Sequence, residues 1–138
     1  MQVKSVMTQS AEWVEPSLKL REAAARMRDK DIGVLPIGEG DRLVGMVTDR
    51  DIVIRALADG KDIEGMTVRD AMTRKVLYCY EDEDIEDVAE NMGKNKVRRL
   101  PVLNRDKRLI GMVTIGDIAK KGEEDEAGEA LSQICQDG

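Results

Sequence analysis

Residues 42–52 read RLVGMVTDRDI and residues 108–118 read RLIGMVTIGDI, with eight of the eleven positions identical. A stretch written twice in one small chain points to an internal repeat, and a repeat governs how every other feature is read. Each copy is a short apolar run, Leu43 to Thr48 and Leu109 to Thr114, followed by two variable residues and an Asp. The duplication extends in both directions. Upstream, Val3-Lys4-Ser5-Val6-Met7-Thr8 matches Val68-Arg69-Asp70-Ala71-Met72-Thr73 at an offset of 65. At that offset Leu20 meets Ile85, Met27 meets Met92, and Leu35-Pro36-Ile37 meets Leu100-Pro101-Val102. One extra residue in the polar stretch Asn104 to Lys107 moves the offset to 66, and a turn is where a repeat tolerates an insertion.

Both copies run through the same elements. An extended lead-in (residues 11–14 and 76–80) precedes a stretch with apolar residues at helical spacing, Leu20, Ala23, Ala24 and Met27, then Ile85, Val88, Ala89 and Met92. Pro16 and Asp84 stand where helices commonly start. A short strand (34–37; 100–103), a polar turn and a second strand (43–48; 109–114) make a hairpin, and a second helix begins after Thr48 and after Thr114. The unit is β-α-β-β-α, and the fold class is mixed α/β (α+β). One such unit of about 60 residues buries little surface, so two are expected to pack together. The expected divisions are repeat 1 at residues 1–60, repeat 2 at 61–121, and an acidic C-terminal tail or short helix at 122–138. In the last segment Ala127, Ala130, Leu131, Ile134 and Cys135 would line one face of a helix.

Composition narrows the chemistry. The 138 residues are 41% hydrophobic with no Phe, one Trp and two Tyr, so the core is aliphatic. The net charge is −6, and residues 122–138 hold six acids and no base; the remaining 22 acids balance the 22 Lys plus Arg. A neutral body lacks the bulk basic footprint of a nucleic-acid binder. The chain has no His, and its two cysteines, Cys79 and Cys135, are far apart, which speaks against a zinc site and against His-based acid–base chemistry. No apolar run reaches the roughly 18 residues of a membrane span, and the N-terminus has no signal-peptide pattern, so a cytoplasmic, membrane-free protein is expected.

Thr-x-x-Asp at the end of a strand has two readings. As a capping box, the Thr hydroxyl accepts from a backbone N–H of the following helix and the Asp sits at the positive end of its dipole. As a ligand site, the same helix start offers N–H groups to a phosphate, the Thr hydroxyl adds a hydrogen bond, and the Asp accepts from vicinal hydroxyls such as those of a ribose. Gly45 and Gly111 just upstream would let a ligand or a neighbouring backbone come close.

The whole ordered set resembles a cystathionine-β-synthase (CBS) domain: Val-x-x-x-Met-Thr, the Ala/Met helix, Leu-Pro-Ile/Val, then Arg-Leu-Val/Ile-Gly-Met-Val-Thr-x-x-Asp-Ile. Two copies over about residues 1–121 resemble a tandem CBS pair, or Bateman module, standing alone. The resemblance implies two repeats packed about a pseudo-twofold axis. It implies clefts between them for adenosine-containing ligands, with AMP, ADP, ATP, S-adenosylmethionine and NAD as candidates and no required cofactor or metal. It implies a homodimer that regulates a partner, here an unknown effector protein. Carried onto this sequence, the phosphate- and ribose-binding positions are Thr48 and Asp51, then Thr114 and Asp117. The base would lie against Thr8, Ala11, Val34 and Pro36 in one unit and Thr73, Val76, Arg99 and Pro101 in the other.

The halves differ at the variable positions. Asp49-Arg50 stands where Ile115-Gly116 stands, and Gly33-Val34 where Arg98-Arg99 stands. A guanidinium at Arg50, or at Arg98 or Arg99, could hold a phosphate in a bidentate fashion and set the number of phosphates accepted; otherwise these are solvated surface charges. The methionine pairs Met7/Met72, Met27/Met92 and Met46/Met112 read as core packing, and Trp13, aligned with Tyr78, either stacks on a base or packs. The function expected is a non-enzymatic sensor of adenosine ligands acting by conformational shift. The alternative is a ligand-free dimerisation or interaction module whose Thr-x-x-Asp motifs are only caps. Nucleic-acid binding around Lys94 to Arg99 is a weaker third reading. Catalysis is disfavoured by the lack of His, of an activated nucleophile and of a Walker-type loop.

Overall fold

In a computed structural model the chain is described over residues 1–9, 12–121 and 124–136, with backbone alone for 124–127. It divides into two packed units: a contiguous one, Glu12–Val76, and a split one, Met1–Ala11 with Leu77–Gly138. The split unit opens with a 3-10 turn at Val3–Ser5 and the strand β1 (Thr8–Gln9). The contiguous unit follows as α1 (Leu20–Lys30), β2 (Val34–Glu39), β3 (Arg42–Thr48) and α2 (Asp49–Ile52). It continues through a π-helical turn (Val53–Leu57), a 3-10 turn (Ile63–Gly65) and α3 (Val68–Ala71). The chain then completes the split unit with β4 (Cys79–Tyr80), α4 (Ile85–Asn95), β5 (Arg99–Leu103), β6 (Leu109–Thr114), α5 (Ile115–Lys121) and α6 (Glu124–Ile134).

Each hairpin forms as the alternation demands. β2 and β3 pair antiparallel with Val34 opposite Thr48 and Pro36 opposite Met46; β5 and β6 repeat this with Arg99 opposite Thr114 and Pro101 opposite Met112. Gly40 turns the first hairpin with φ 63°, and Lys107 the second with φ 61°. The inserted residue of the second turn has a use. Asn104 Oδ1 accepts from the Asp106 and Arg108 amides, and Arg105 reaches Asp82 through two nitrogens, Nε and Nη2. The same guanidinium lies 4.1 Å over the Tyr80 ring, which Tyr78 meets edge-on at 5.6 Å.

The lead-ins are shorter than the sequence implies. The first makes one parallel bridge, Val14 opposite Ile37, and the second forms only the two residues of β4, parallel to β5. α1 starts at Leu20 rather than after Pro16, because Lys19 is held extended by a bridge to Thr67. Asp84 is an N-cap as expected, accepting from the Glu86 amide at 3.1 Å.

The packed units do not follow the repeat boundaries at residues 60 and 61. The opening Val-x-x-x-Met-Thr segment of each repeat completes the other one. Val3 and Val6 are fully buried among Ile85, Val88, Val113 and Ile118. β1 lies antiparallel on β6, and the Val3 and Lys4 amides donate to the Glu83 and Glu81 carbonyls. In the contiguous unit Val68, Ala71 and Met72 occupy the matching place among Leu20, Leu35, Ile37 and Val47. The glycine of Gly-Met-Val-Thr makes this possible. A Cβ on Gly111 would sit 2.5 Å from the Thr8 carbonyl oxygen, and one on Gly45 would sit 2.7 Å from that of Thr73. The Met7 and Met72 Sδ atoms pack at the same two points, so these two methionines are core residues, as their register suggests.

The acidic C-terminal segment contains a helix, α6, which packs on α4 and α5. Ala130 is buried in the split unit's core, and a Cβ on Gly93 of α4 would come within 3.2 Å of its Cα. Ile134 is half-buried, whereas Leu131 and Cys135 are exposed, so the packed face is narrower than the sequence pattern suggests.

Candidate functional site

Thr48 ends β3 in extended conformation and caps α2. Its Oγ accepts from the Asp51 amide at 3.0 Å, and its own amide donates to Asp51 Oδ2 at 2.9 Å. Thr114 and Asp117 repeat this at the start of α5 with the same 3.0 and 2.9 Å. Both capping boxes are therefore real, and both pairs are half-buried. They leave a donor and an acceptor over: the Thr O–H proton, and Oδ1 of each Asp, which takes part in no hydrogen bond or ion pair among the described residues. A third box, Thr67-Val68-Arg69-Asp70, caps α3 with the Thr67 amide 2.9 Å from Asp70 Oδ2. It carries the same Thr-x-x-Asp spacing, which the sequence shows once only at this place, since Gln2 stands where Thr67 aligns.

Directly opposed residues of an antiparallel pair project from one face of the sheet. In the contiguous unit that face carries Val34, Pro36, Met46 and Thr48, with Thr73 bridged to Met46 at the edge. In the split unit it carries Arg99, Pro101, Met112 and Thr114, with Thr8 paired to Met112. Thr8 thus belongs with Arg99, Pro101, Thr114, Gly116 and Asp117, while Thr73 and Val76 belong with Val34, Pro36, Thr48, Arg50 and Asp51. This exchanges the grouping that the repeat order suggests, for the same reason that the packed units cross the repeat boundary. Ala11 lies outside the described residues. Pro36 and Pro101 are buried; Val34, Val76 and Arg99 are half-buried; Arg50 and Gly116 are exposed.

The charges differ between the two sites. Asp49 stands beside Gly33, where a Cβ would meet its Oδ2 at 2.9 Å, and its Oδ1 accepts from the Arg50 amide. The contiguous unit's site therefore holds two carboxylates, Asp49 and Asp51, with one guanidinium, Arg50. The split unit's site holds Asp117 alone with Arg99. No ion pair among the described residues involves the guanidinium of Arg50 or Arg99. Arg98 turns elsewhere and donates to Cys135 Sγ at 3.6 Å. The Trp13 ring lies within 3.2 Å of where a Gly38 Cβ would be.

A tandem of hairpins, each ending in a capped helix and each completed by the other's opening segment, defines a class before it defines a protein. The family model for the CBS domain matches residues 3–57 and 68–124, and the chain belongs to that family. Among its relatives is hypoxic response protein 1 of Mycobacterium tuberculosis, 41% identical over 117 residues, which are 84% of this chain and 81% of that protein. A crystal structure of hypoxic response protein I with two coordinated zinc ions matches with a TM-score of 0.78 at 39% identity, over 87% of this chain and 98% of that one. CBSX2 in complex with AMP matches with a TM-score of 0.76 at 29% identity, over 86% and 93%. The CBS domain pair of MJ0100, in complex with 5-methylthioadenosine and S-adenosyl-L-methionine, matches with a TM-score of 0.75 at 33% identity, over 87% and 94%.

The chain contains no His, and no three His, Cys, Asp or Glu side chains gather at one point among the described residues. No helix among the described residues is long and apolar enough to cross a membrane.

Proposed function

We propose that this chain is a regulatory module that binds adenosine-containing ligands at its two Thr-x-x-Asp sites and passes occupancy to a partner protein as a conformational shift. The observation that carries the reading is the pair of matching sites, each with a hydroxyl proton and a carboxylate oxygen unused by the cap. Solved structures of the same family with AMP or S-adenosylmethionine bound support the ligand class. The candidates are AMP, ADP, ATP, S-adenosylmethionine and NAD. The split unit's site, with one carboxylate and Arg99, suits the larger phosphate charge; the contiguous unit's site, with two carboxylates, suits the smaller. The protein is cytoplasmic in this reading, with no catalytic residue.

Thermal unfolding with each ligand tests it. At ten times its dissociation constant a ligand adds roughly 1.4 kcal/mol, a rise of about 3–6 °C for a chain of this size. Asp51→Asn and Asp117→Asn keep an oxygen for the cap and remove the charge offered to vicinal hydroxyls. The shift is expected to vanish in the variant whose site is used, and Arg99→Ala is expected to weaken ATP more than AMP. The third box, at Thr67, favours a second reading in which all three motifs are caps and the module acts through contacts alone; a well-folded protein that no ligand shifts would establish it.

The reading includes a homodimer. Val53, Ile54 and Leu57 are 51%, 44% and 64% exposed within five residues, a denser apolar display than isolated surface side chains make. Sedimentation velocity is expected to show a dimer that Leu57→Glu dissociates; a monomeric wild type would remove the dimer from the proposal.

A further inference from the structure

The helix that starts at Thr48 does not run on as an α-helix. After Ile52 it widens into the π turn Val53–Leu57, closed by the Ala58 amide on the Val53 carbonyl at 2.8 Å. Such single turns are uncommon and occur often at functional positions. Here the widened turn carries Arg55, whose Nη1 donates to two successive carbonyls, Ala71 at 3.1 Å and Met72 at 2.8 Å. Those are the carbonyls of the last residue of α3 and of its extended C-cap, which the four-residue helix cannot itself satisfy. The next residue, Thr73, exchanges both backbone hydrogen bonds with Met46 of β3, at 3.0 and 2.8 Å, over the bare Cα of Gly45. Three residues later, at Val76, the chain leaves the contiguous unit. One continuous helical body thus has the Thr48/Asp51 cap at one end and a hydrogen-bonded grip on the exit segment at the other.

Among the described residues the split unit shows no equivalent. The position aligned with Arg55 is Lys121, at the end of α5, which is α-helical throughout. Among the described residues no side chain donates to the Val6 or Met7 carbonyls, which correspond to those of Ala71 and Met72. That segment is held by backbone hydrogen bonds, through β1 on β6 and the Met7 amide on the Val3 carbonyl, and by the packing of Val3, Val6 and Met7.

We propose that Arg55 is a positioning residue that links the Thr48/Asp51 site to the Met72–Val76 exit segment, so that a ligand at this site, and not at Thr114/Asp117, is felt along that segment. The physical basis is that Thr73 and Val76, which group with Thr48 and Asp51, lie on the segment whose start Arg55 grips, so that the grip sets how firmly one wall of this site is held. The proposal rests on the nucleotide reading above and assigns the two sites different work: both hold ligand, and one transmits.

Amide hydrogen exchange of the full chain tests it, with AMP and ATP as probes, in the wild type, Arg55→Met and Arg55→Lys. Without ligand, Arg55→Met is expected to speed exchange over residues 72–76 about tenfold while residues 5–9 are unchanged. Arg55→Lys, which retains one donor group, should fall between and guards against a variant that fails to fold. With ligand, the wild type is expected to slow exchange at both 48–52 and 72–76. Arg55→Met should keep the slowing at 48–52 and lose it at 72–76, and Arg55→Lys should recover part of it, a graded response that follows the donor. Slowing at 72–76 that survives in Arg55→Met overturns the link while leaving the nucleotide reading intact. If neither probe slows 48–52 in the wild type, the nucleotide reading fails and the coupling falls with it. Unchanged ligand-free exchange in Arg55→Met overturns the grip itself.

Discussion

Gly111→Ala is expected to melt about 10 °C below the wild type, and Gly45→Ala to fall by a similar amount. The added Cβ would lie 2.5 Å from the Thr8 carbonyl oxygen in one case and 2.7 Å from the Thr73 carbonyl oxygen in the other. Both obstacles are backbone, and both backbones are hydrogen-bonded in place, so no side chain can swing aside. Met7 and Met72 sulfur atoms, each 3.2 Å away, close the remaining space. Overpacking of this kind costs about 3 kcal/mol, and for a chain of this length each kcal/mol is worth roughly 2–6 °C. Gly65→Ala is the control, since a Cβ there meets nothing within 4 Å. The relief available to either variant is to peel the Thr8 or Thr73 segment off its strand, so a Gly111→Ala protein that holds its melting point within about 2 °C would mean that β1 does not sit on β6 as described.

The second large effect is a difference in thiol reactivity. Cys135 is exposed and has the Arg98 guanidinium beside its sulfur. Cys79, in β4, is 3% exposed; burial, with a smaller contribution from the Glu83 carboxylate, pushes its thiol up to about 12. Since the thiolate is the reactive form, Cys79 at neutral pH is more than a thousandfold less available than an ordinary thiol on ionisation alone. Ellman's reagent is expected to titrate one thiol per native chain and two in denaturant, and Cys135→Ser should remove the fast one. Two fast thiols in the native protein would contradict the packing of β4 against β5. The raised value also has a sign for stability. A thiol whose ionisation is suppressed in the folded state contributes fully below the unfolded value near 8.5 and loses that contribution as pH rises toward 12. The denaturant midpoint should fall above about pH 9, and less steeply in Cys79→Ala.

The sequence made some of this legible and concealed the rest for a physical reason. Hairpins, helices and the caps at Thr48, Asp84 and Thr114 follow from periods and spacings of a few residues, and a repeat shows each of them twice. Which sheet the Val-x-x-x-Met-Thr segment joins is a matter of contacts between residues about a hundred positions apart, such as Thr8 and Met112, and no local pattern encodes it. Gly111 was suggestive, since a glycine inside a strand signals a close approach, but it did not say what approaches. Arg55 was silent, because its two acceptors are backbone carbonyls that any residue would supply. Thr67 and Asp70 carry the same spacing as the two aligned motifs, but the first repeat has no counterpart to Thr67, since Gln2 stands at the aligned position.

The exchange of opening segments also sets an order of events on the ribosome. All of the contiguous unit, Glu12–Val76, has been made before β4 is translated, so it can fold while the rest is still being synthesised. Strand β1 must wait for β6, since Thr8 finds Met112 only after another hundred residues have been added. What would be a long and entropically costly loop in an unfolded chain is by then largely condensed, and the N-terminus closes over a span already shortened by the finished unit. Strand β1, made ahead of the whole contiguous unit, settles after it.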